Sequence, residues 1–183
     1  MSINCMQEKD DIELLYMSRG GNMKAFECLF NKYHKKAFNI SFKTTGSTEM
    51  AEDIVMDAFL KIYTSHFRIK SGFSSYFYKI VINMSINHIK KSKKILTDID
   101  FELFVSNLNE PSEEFFKKEH IKKAWKALNS IPISQKTAFI LIKYEEMTYK
   151  ETAEIMGISV KALESLMTRA KENLKKYYLG GEK

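Results

Sequence analysis

The sequence predicts an all-α protein of two small helical domains joined by an acidic linker. Glycine occurs 7 times in 183 residues and proline only at positions 111 and 132, so residues that break helices are rare. Apolar side chains recur every three or four residues, and no long stretch alternates apolar with polar side chains, which favours helices over strands. Residues 1–94 carry 15 basic and 9 acidic side chains. Residues 95–116 carry 6 acidic side chains and no basic one, and residues 117–183 carry 14 basic and 8 acidic side chains. We therefore expect helical domains at 1–94 and 117–183, with the linker at 95–116.

The two basic domains favour a polyanion such as nucleic acid, whereas the acidic linker must lie away from it. Only three of the 29 basic residues are arginines, at positions 19, 68 and 169. Bidentate reading of guanine is therefore limited, and most of the positive charge is lysine suited to phosphate.

Other classes are disfavoured by the composition. No stretch of about 18 apolar residues is present, and the first residues are acidic where a signal peptide is basic and then apolar, so we expect a cytoplasmic protein without membrane insertion. Cys5 and Cys28 do not form a CxxC pair and are expected to be reduced thiols. The histidines lack metal-ligand spacing, and no phosphate-binding glycine loop occurs, so we expect no enzyme activity, metal or cofactor. The four histidines are His34, His66, His88 and His120.

The first two predicted helices span residues 11–18 and 23–43, separated by Arg19, Gly20 and Gly21, and residues 43–47 are predicted to be a loop. An aromatic stripe on the second helix is expected to be core; it comprises Phe26, Leu29, Phe30, Tyr33, Ala37, Phe38 and Ile40.

A third helix, at residues 48–63, has two apolar-containing stripes. Thr48 is expected to cap it, with acidic residues in its first turn. One stripe has the spacing of a buried face: Ala51, Ile54, Val55, Ala58, Phe59 and Ile62. The other alternates acidic and apolar side chains, namely Asp53, Met56, Asp57 and Leu60. This second stripe is either a docking face for a partner or a solvated face with two scattered apolar residues.

After a polar loop at 64–72, a long helix is predicted at 74–94. Tyr76, Lys79, Asn83, Asn87 and Lys90 fall on one narrow stripe, and Lys91, Lys93 and Lys94 follow at its end. Two apolar stripes flank it: Phe73, Phe77, Ile80, Val81 and Met84 on one side, and Ile82, Ile86 and Ile89 on the other. Together these side chains offer base stacking, amide hydrogen bonds and phosphate neutralisation. The alternative is a solvated face ending in lysines that suit the helix dipole.

The second domain begins with a predicted helix from about residue 113 that ends before Ile131 and Pro132. Its apolar side is expected to contain Phe116, Ile121, Ala124, Trp125 and Leu128. Ser134 is expected to cap the next helix, which runs to Tyr144.

The C-terminal stretch predicts a helix-turn-helix. Thr148 and Glu151 form a capping box, Gly157 supplies the turn, and Ser159 caps a second helix that runs to about Tyr177. Leu163, Met167, Ala170 and Leu174 are expected to be buried on that helix. The opposite face is the candidate for the DNA major groove: Lys161, Ser165, Thr168 and Glu172, flanked by Glu164, Arg169 and Lys171. The alternative is a helical hairpin that does not bind DNA.

These segments resemble, in order and spacing, the extracytoplasmic-function group of bacterial sigma factors in the sigma-70 family. The resemblance covers residues 11–177 and rests on AFECLFNKY, AEDIVMDAFLKIY, FSSYFYKIVINMSINHIKK, LNSIPISQKTAFIL and YKETAEIMGISVKALESLMTRAKENL. It implies a region 2-like helical bundle and a region 4-like helix-turn-helix. The implied partners are core RNA polymerase, through its beta-prime clamp helices and beta subunit, promoter DNA, and an anti-sigma protein.

The resemblance also implies residue roles. Asp53, Met56 and Asp57 would dock on the polymerase. Phe73, Tyr76, Lys79 and Asn83 match the part that opens the minus-ten element, and the helix-turn-helix matches the part that reads the minus-thirty-five element. The linker resembles a segment threaded through the polymerase interior.

Three departures stand out in the resemblance. Tyr76 replaces the usual Trp, Ala162 replaces the usual Thr, and Glu164 and Leu166 replace frequent basic residues. A stand-alone helix-turn-helix regulator is the alternative function, although it would leave residues 1–94 without a role.

Overall fold

The structure is a computed structural model that describes residues 9–65, 72–92 and 114–180, apart from the side chains of residue 92 and residues 114–118. The described residues form eight α-helices and one π-helical segment, with no strand among them. The chain divides into two compact units, Met1–Lys93 and Lys94–Lys183. The all-α prediction is confirmed. The proposed linker falls largely outside the described residues, so its bounds remain a prediction.

Unit 1 contains α1 (Asp11–Arg19), α2 (Met23–Thr45), α3 (Thr48–Thr64) and α4 (Phe73–Ser92). Its core is aromatic where α2, α3 and α4 meet: the Phe59 and Phe77 ring centroids lie 4.5 Å apart, and those of Tyr33 and Phe73 lie 4.8 Å apart. Ser41 and Ser85 share a buried hydrogen bond of 3.1 Å between α2 and α4. Small side chains there let the two helices pack closely.

The predicted loop at 43–47 is wrong in part, because α2 continues to Thr45. Thr44 and Thr45 are buried, and their hydroxyl groups donate to the carbonyl oxygens of Ile40 and Ser41 at 2.7 and 2.8 Å. Their burial overrides the low helix propensity of threonine. Gly46 then ends the helix in the left-handed region, with φ of 75°.

The cap of α3 also differs from the prediction. Ser47 is the N-cap, and its side chain accepts a hydrogen bond from the amide of Met50 at 3.3 Å. Thr48 is the first helical residue, and its hydroxyl oxygen is buried without a hydrogen-bond partner in the described part of the chain. The two residues are both good caps, so sequence alone misplaced the boundary by one position.

Unit 2 contains α5 (Glu114–Ser130), α6 (Ile133–Phe139), the π-helical segment Ile140–Tyr144, α7 (Tyr149–Met156) and α8 (Val160–Leu179). Pro132 occupies the cap position of α6, so the predicted Ser134 cap is wrong. Ala124 is exposed on α5, contrary to the prediction, whereas Ala127 is buried beside Leu128. Phe116 lies among the residues whose side chains are not described.

None of the described helices combines the length and apolar character needed to cross a membrane. Within the same residues, no group of three or more histidine, cysteine, aspartate or glutamate side chains is arranged to hold a metal ion.

Candidate polymerase and nucleic-acid interfaces

The docking face, defined as Asp53, Met56, Asp57 and Leu60 on α3, is exposed along its whole length. Met56 is 55% exposed and Leu60 is 60% exposed, and the two aspartates between and before them are exposed as well. The opposite side of α3 is fully committed to the core: Ala51, Ile54, Val55, Ala58, Phe59 and Ile62 are all buried. The same helix therefore anchors the unit and presents apolar side chains and carboxylates to solvent.

Arg19, at the end of α1, holds the end of α3. Its Nη2 atom donates to the carbonyl oxygen of Ile62 at 2.6 Å and to Oγ of Ser65 at 2.9 Å. The Ser65 hydroxyl donates to the same Ile62 carbonyl at 3.1 Å. A charged donor on a C-terminal carbonyl is favourable, because that end of a helix carries partial negative charge. Sequence reasoning missed this contact, since its partners are more than 40 residues away in the chain.

The polar stripe of α4 comprises Tyr76, Lys79, Asn83, Asn87 and Lys90. Tyr76 is half-buried, whereas the other four side chains and Lys91 are exposed. Phe77, Val81 and Ile82 lie on the remaining sides of α4 and are almost completely buried. The stripe is therefore carried by a helix that the core holds in place. Lys93 and Lys94 and the loop residues 66–71 lie outside the described residues.

Phe73 does not belong to this surface. Its side chain is 2% exposed, and its ring packs against those of Tyr33 and Phe77. The resemblance implied contact between Phe73 and DNA, but burial removes the ring from reach, and we assign Phe73 to the core. The apolar spacing that groups Phe73 with Phe77 and Ile80 correctly predicted that Phe73 is buried.

The helix-turn-helix forms as predicted. Thr148 and Glu151 make both hydrogen bonds of the capping box at the start of α7. Gly157 has φ of 68°, and two backbone bonds close the turn: Ile158 N–H donates to Ala153 O at 3.0 Å and Gly157 N–H donates to Glu154 O at 3.2 Å. This pair is the Schellman pattern of helix ends.

Ser159 caps α8, since its side chain accepts from the amide of Ala162 at 3.1 Å. Leu163 and Met167 are buried in one cluster with Ala138 and Ala153. Ala170 is buried as well, and Leu174 is half-buried. All residues of the proposed groove-facing side are exposed: Lys161, Glu164, Ser165, Thr168, Arg169, Lys171 and Glu172. We call this set the reading face.

Lys136 on α6 is a buried titratable amine that sequence reasoning missed. It is 4% exposed, its Nζ atom donates to Oδ1 of Asn129 at 2.6 Å, and it lies 5.4 Å from the centre of the Trp125 ring. Burial lowers the pKa of Lys136 to about 7, because a charged amine is poorly solvated there. Its spacing from Ile133 and Ile140 is that of an inward-facing residue, which is the available sequence signal.

Comparisons with known proteins identify the same two segments. Residues 29–95 match the family described as Sigma-70 region 2, and residues 121–174 match the family described as Sigma-70, region 4. The RNA polymerase sigma-H factor of Pseudomonas aeruginosa is 25% identical over 183 residues, covering 93% of this chain and 95% of that protein. The ECF RNA polymerase sigma factor SigM of Mycobacterium tuberculosis is 24% identical, covering 91% of this chain and 84% of that protein.

Two solved structures share the fold. CnrH, solved with the cytosolic domain of CnrY, has a TM-score of 0.68 and 17% identity, covering 94% of this chain and 99% of that chain. The sigma factor RpoE of Bartonella quintana, solved with the anti-sigma factor NepR, has a TM-score of 0.62 and 20% identity. The match covers 87% of this chain and 99% of that chain.

Proposed function

The chain belongs to the sigma-70 family, in its extracytoplasmic-function group, and from this premise we propose that it binds core RNA polymerase and directs promoter-specific transcription initiation. Unit 1 would bind the polymerase and open the minus-ten element, and unit 2 would read the minus-thirty-five element. The catalysis would belong to the polymerase, with which the chain would act in the cytoplasm.

The observation that carries the proposal is the two-sided α3. Its buried side explains why the helix exists, but stability gives no reason for Met56 and Leu60 to be more than half exposed on a stripe that also carries Asp53 and Asp57. Exposed apolar side chains flanked by charges are typical of a specific interface. We assign the docking face to the beta-prime clamp helices, as the family resemblance implies.

The DNA-facing surfaces support the second half of the proposal. The polar stripe of α4 combines an aromatic ring, two amides and lysines on a helix fixed by its buried sides. These groups suit an unstacked base and its neighbouring phosphates better than the interior of a duplex. The reading face of α8 follows a capped turn of the kind that places a helix in the major groove.

We also propose regulation by an anti-sigma protein, because a solved structural relative is bound to one. The exposed apolar side chains of the docking face would then be covered by the anti-sigma protein in the restrained state. The linker at 95–116 would follow the polymerase interior, where its acidic residues avoid phosphate.

Run-off transcription with purified core polymerase and a library of random promoters is the direct test. We expect defined transcripts that require the chain, with sequence preference near minus ten and minus thirty-five; core polymerase alone is the control. The stand-alone regulator accounts only for unit 2. It would be favoured if the chain bound duplex DNA specifically but neither co-purified with the core nor supported transcription.

A further inference from the structure

The hydroxyl groups of the reading face use their protons within α8. Ser165 Oγ donates to the carbonyl oxygen of Lys161 at 3.1 Å, and Thr168 Oγ1 donates to the carbonyl oxygen of Glu164 at 3.1 Å. A hydroxyl has one proton and two lone pairs. Because each proton is directed back into the helix, what these two side chains present outward is hydrogen-bond acceptors.

The charged neighbours strengthen this imbalance. Glu164 is exposed on the same helix, and a carboxylate only accepts hydrogen bonds. Arg169, the one arginine of α8, donates through Nε to the carbonyl oxygen of Ser165 at 3.3 Å, which turns part of its planar fork toward its own helix. The two lysines of the reading face are donors as well, but Lys161 lies at the start of the helix and Lys171 lies beyond Thr168, so they flank the middle of the face. The middle of the reading face, Glu164, Ser165 and Thr168, is therefore an acceptor surface.

We propose that this acceptor surface reads the exocyclic amino groups of adenine and cytosine in the major groove and does not read guanine. The inference rests on the proposed function of unit 2 and assigns its substrate class at the level of base chemistry. Adenine N6 and cytosine N4 are donors in the major groove, whereas guanine presents the two acceptors N7 and O6. A guanine edge opposite Glu164 would place acceptor against acceptor, and the desolvated carboxylate would lose its hydrogen bonds with water.

Base analogues in the minus-thirty-five element test the proposal with the complete polymerase holoenzyme. A preferred element is first selected from a randomised library, and each base on both strands is then replaced singly. Removing the amino group, by purine for adenine or 2-pyrimidinone for cytosine, should weaken binding about 5- to 150-fold at two or three adjacent positions. Replacing guanine by 7-deazaguanine should leave binding unchanged at those positions. Loss of binding with 7-deazaguanine there, without loss on removing amino groups, would overturn the proposal.

A charge-neutral variant gives a second, independent measurement. Glu164→Gln keeps the shape of the side chain but adds a donor, so it can bind adenine through both N6 and N7. Sensitivity to 7-deazaadenine should appear at one position in this variant and be absent from the wild type. Glu154→Gln makes the same chemical change at an exposed site on α7 and should not create that sensitivity. Equal responses of the two variants would contradict the assignment of Glu164.

Thr168→Val completes the set, because valine keeps the shape of threonine and removes its acceptor. Dependence on one amino group should disappear while the salt dependence of binding stays the same. The outcomes distinguish a failure of the proposed function of unit 2 from a failure of the acceptor surface. Selection of no preferred minus-thirty-five sequence would contradict the proposed function of unit 2, whereas a preferred sequence read through guanine N7 would contradict the acceptor surface alone.

Discussion

Replacing Lys136 with methionine is expected to remove a steep pH dependence from the stability of unit 2. Lys136 is buried, and its pKa falls from 10.5 to about 7 on folding. Between those values the unfolded chain binds one proton more than the folded chain, so the free energy of unfolding rises with pH. The slope is about 1.4 kcal/mol per pH unit, a gain of roughly 4 kcal/mol between about pH 7 and pH 10.

Methionine keeps an unbranched side chain of similar length but has no titrating group. Lys136→Met should therefore be more stable than the wild type near pH 7, where the wild type still bears the cost of a buried amine. The advantage should shrink as pH rises, since the neutral amine is tolerated and the variant has lost the hydrogen bond to Asn129. The difference in the free energy of unfolding between the two proteins is taken at each pH. Contributions from all other titrating groups are common to both proteins and cancel in that difference.

Urea unfolding followed by tryptophan fluorescence measures this difference. Trp125 is the single tryptophan of the chain and lies beside Lys136, so its emission reports on unit 2. Lys150→Met, at an exposed position on α7, is the control and should follow the wild-type pH profile. Parallel pH profiles for the wild type and Lys136→Met would refute the argument that burial lowers the pKa of this amine.

Three further predictions concern the proposed interfaces. Asp53→Lys or Asp57→Lys should weaken binding to core polymerase more than about fivefold in a pull-down titration. The free energy of unfolding should change by less than about 0.5 kcal/mol in thermal unfolding. Retained binding by both variants would contradict the assignment of the docking face. The double variant Tyr76→Ala, Asn83→Ala should leave closed promoter complexes intact but impair melting in permanganate footprints. A pre-opened mismatch bubble at the minus-ten element should reduce the defect. Normal opening of fully paired DNA by this variant would show that the polar stripe of α4 is only a solvated face. Arg169→Glu should weaken binding to all promoter sequences and lower the slope of log affinity against log salt by about one, whereas a change confined to one sequence would identify a base contact.

The sequence predicted best where local chemistry and tertiary packing agree. The six buried residues of α3 all lie on the stripe expected from their spacing, and the docking face opposite is exposed as expected. The capping box of α7 and the left-handed Gly157 also formed as predicted, because both depend on residues within a few positions of each other. Periodicity and capping are local signals, so they can be read from one chain.

The errors arise where distant packing decides the outcome. Thr44 and Thr45 are helical because the surrounding unit buries them, although their composition resembled a loop. Phe73 satisfied both an apolar spacing and a family motif, and only its contact with Tyr33 decides between them. The π-helical segment had no sequence signal: Glu145 N–H donates to Ile140 O at 3.1 Å, five residues back, after an otherwise ordinary apolar run. No local rule distinguishes that spacing from an α-helical one.

The contact between Arg19 and the end of α3 has a practical consequence for work with truncated proteins. The region 2 family match begins at residue 29, so a fragment cut at that boundary would lack α1 and the guanidinium that occupies the Ile62 carbonyl. Such a fragment would keep the buried stripe of α3 while its last turn lost a charged hydrogen bond. The end of the helix next to Leu60 would then be free to fray. Polymerase affinities measured on short fragments would understate those of the whole chain, and the shortfall would recover when residues 9–28 are restored.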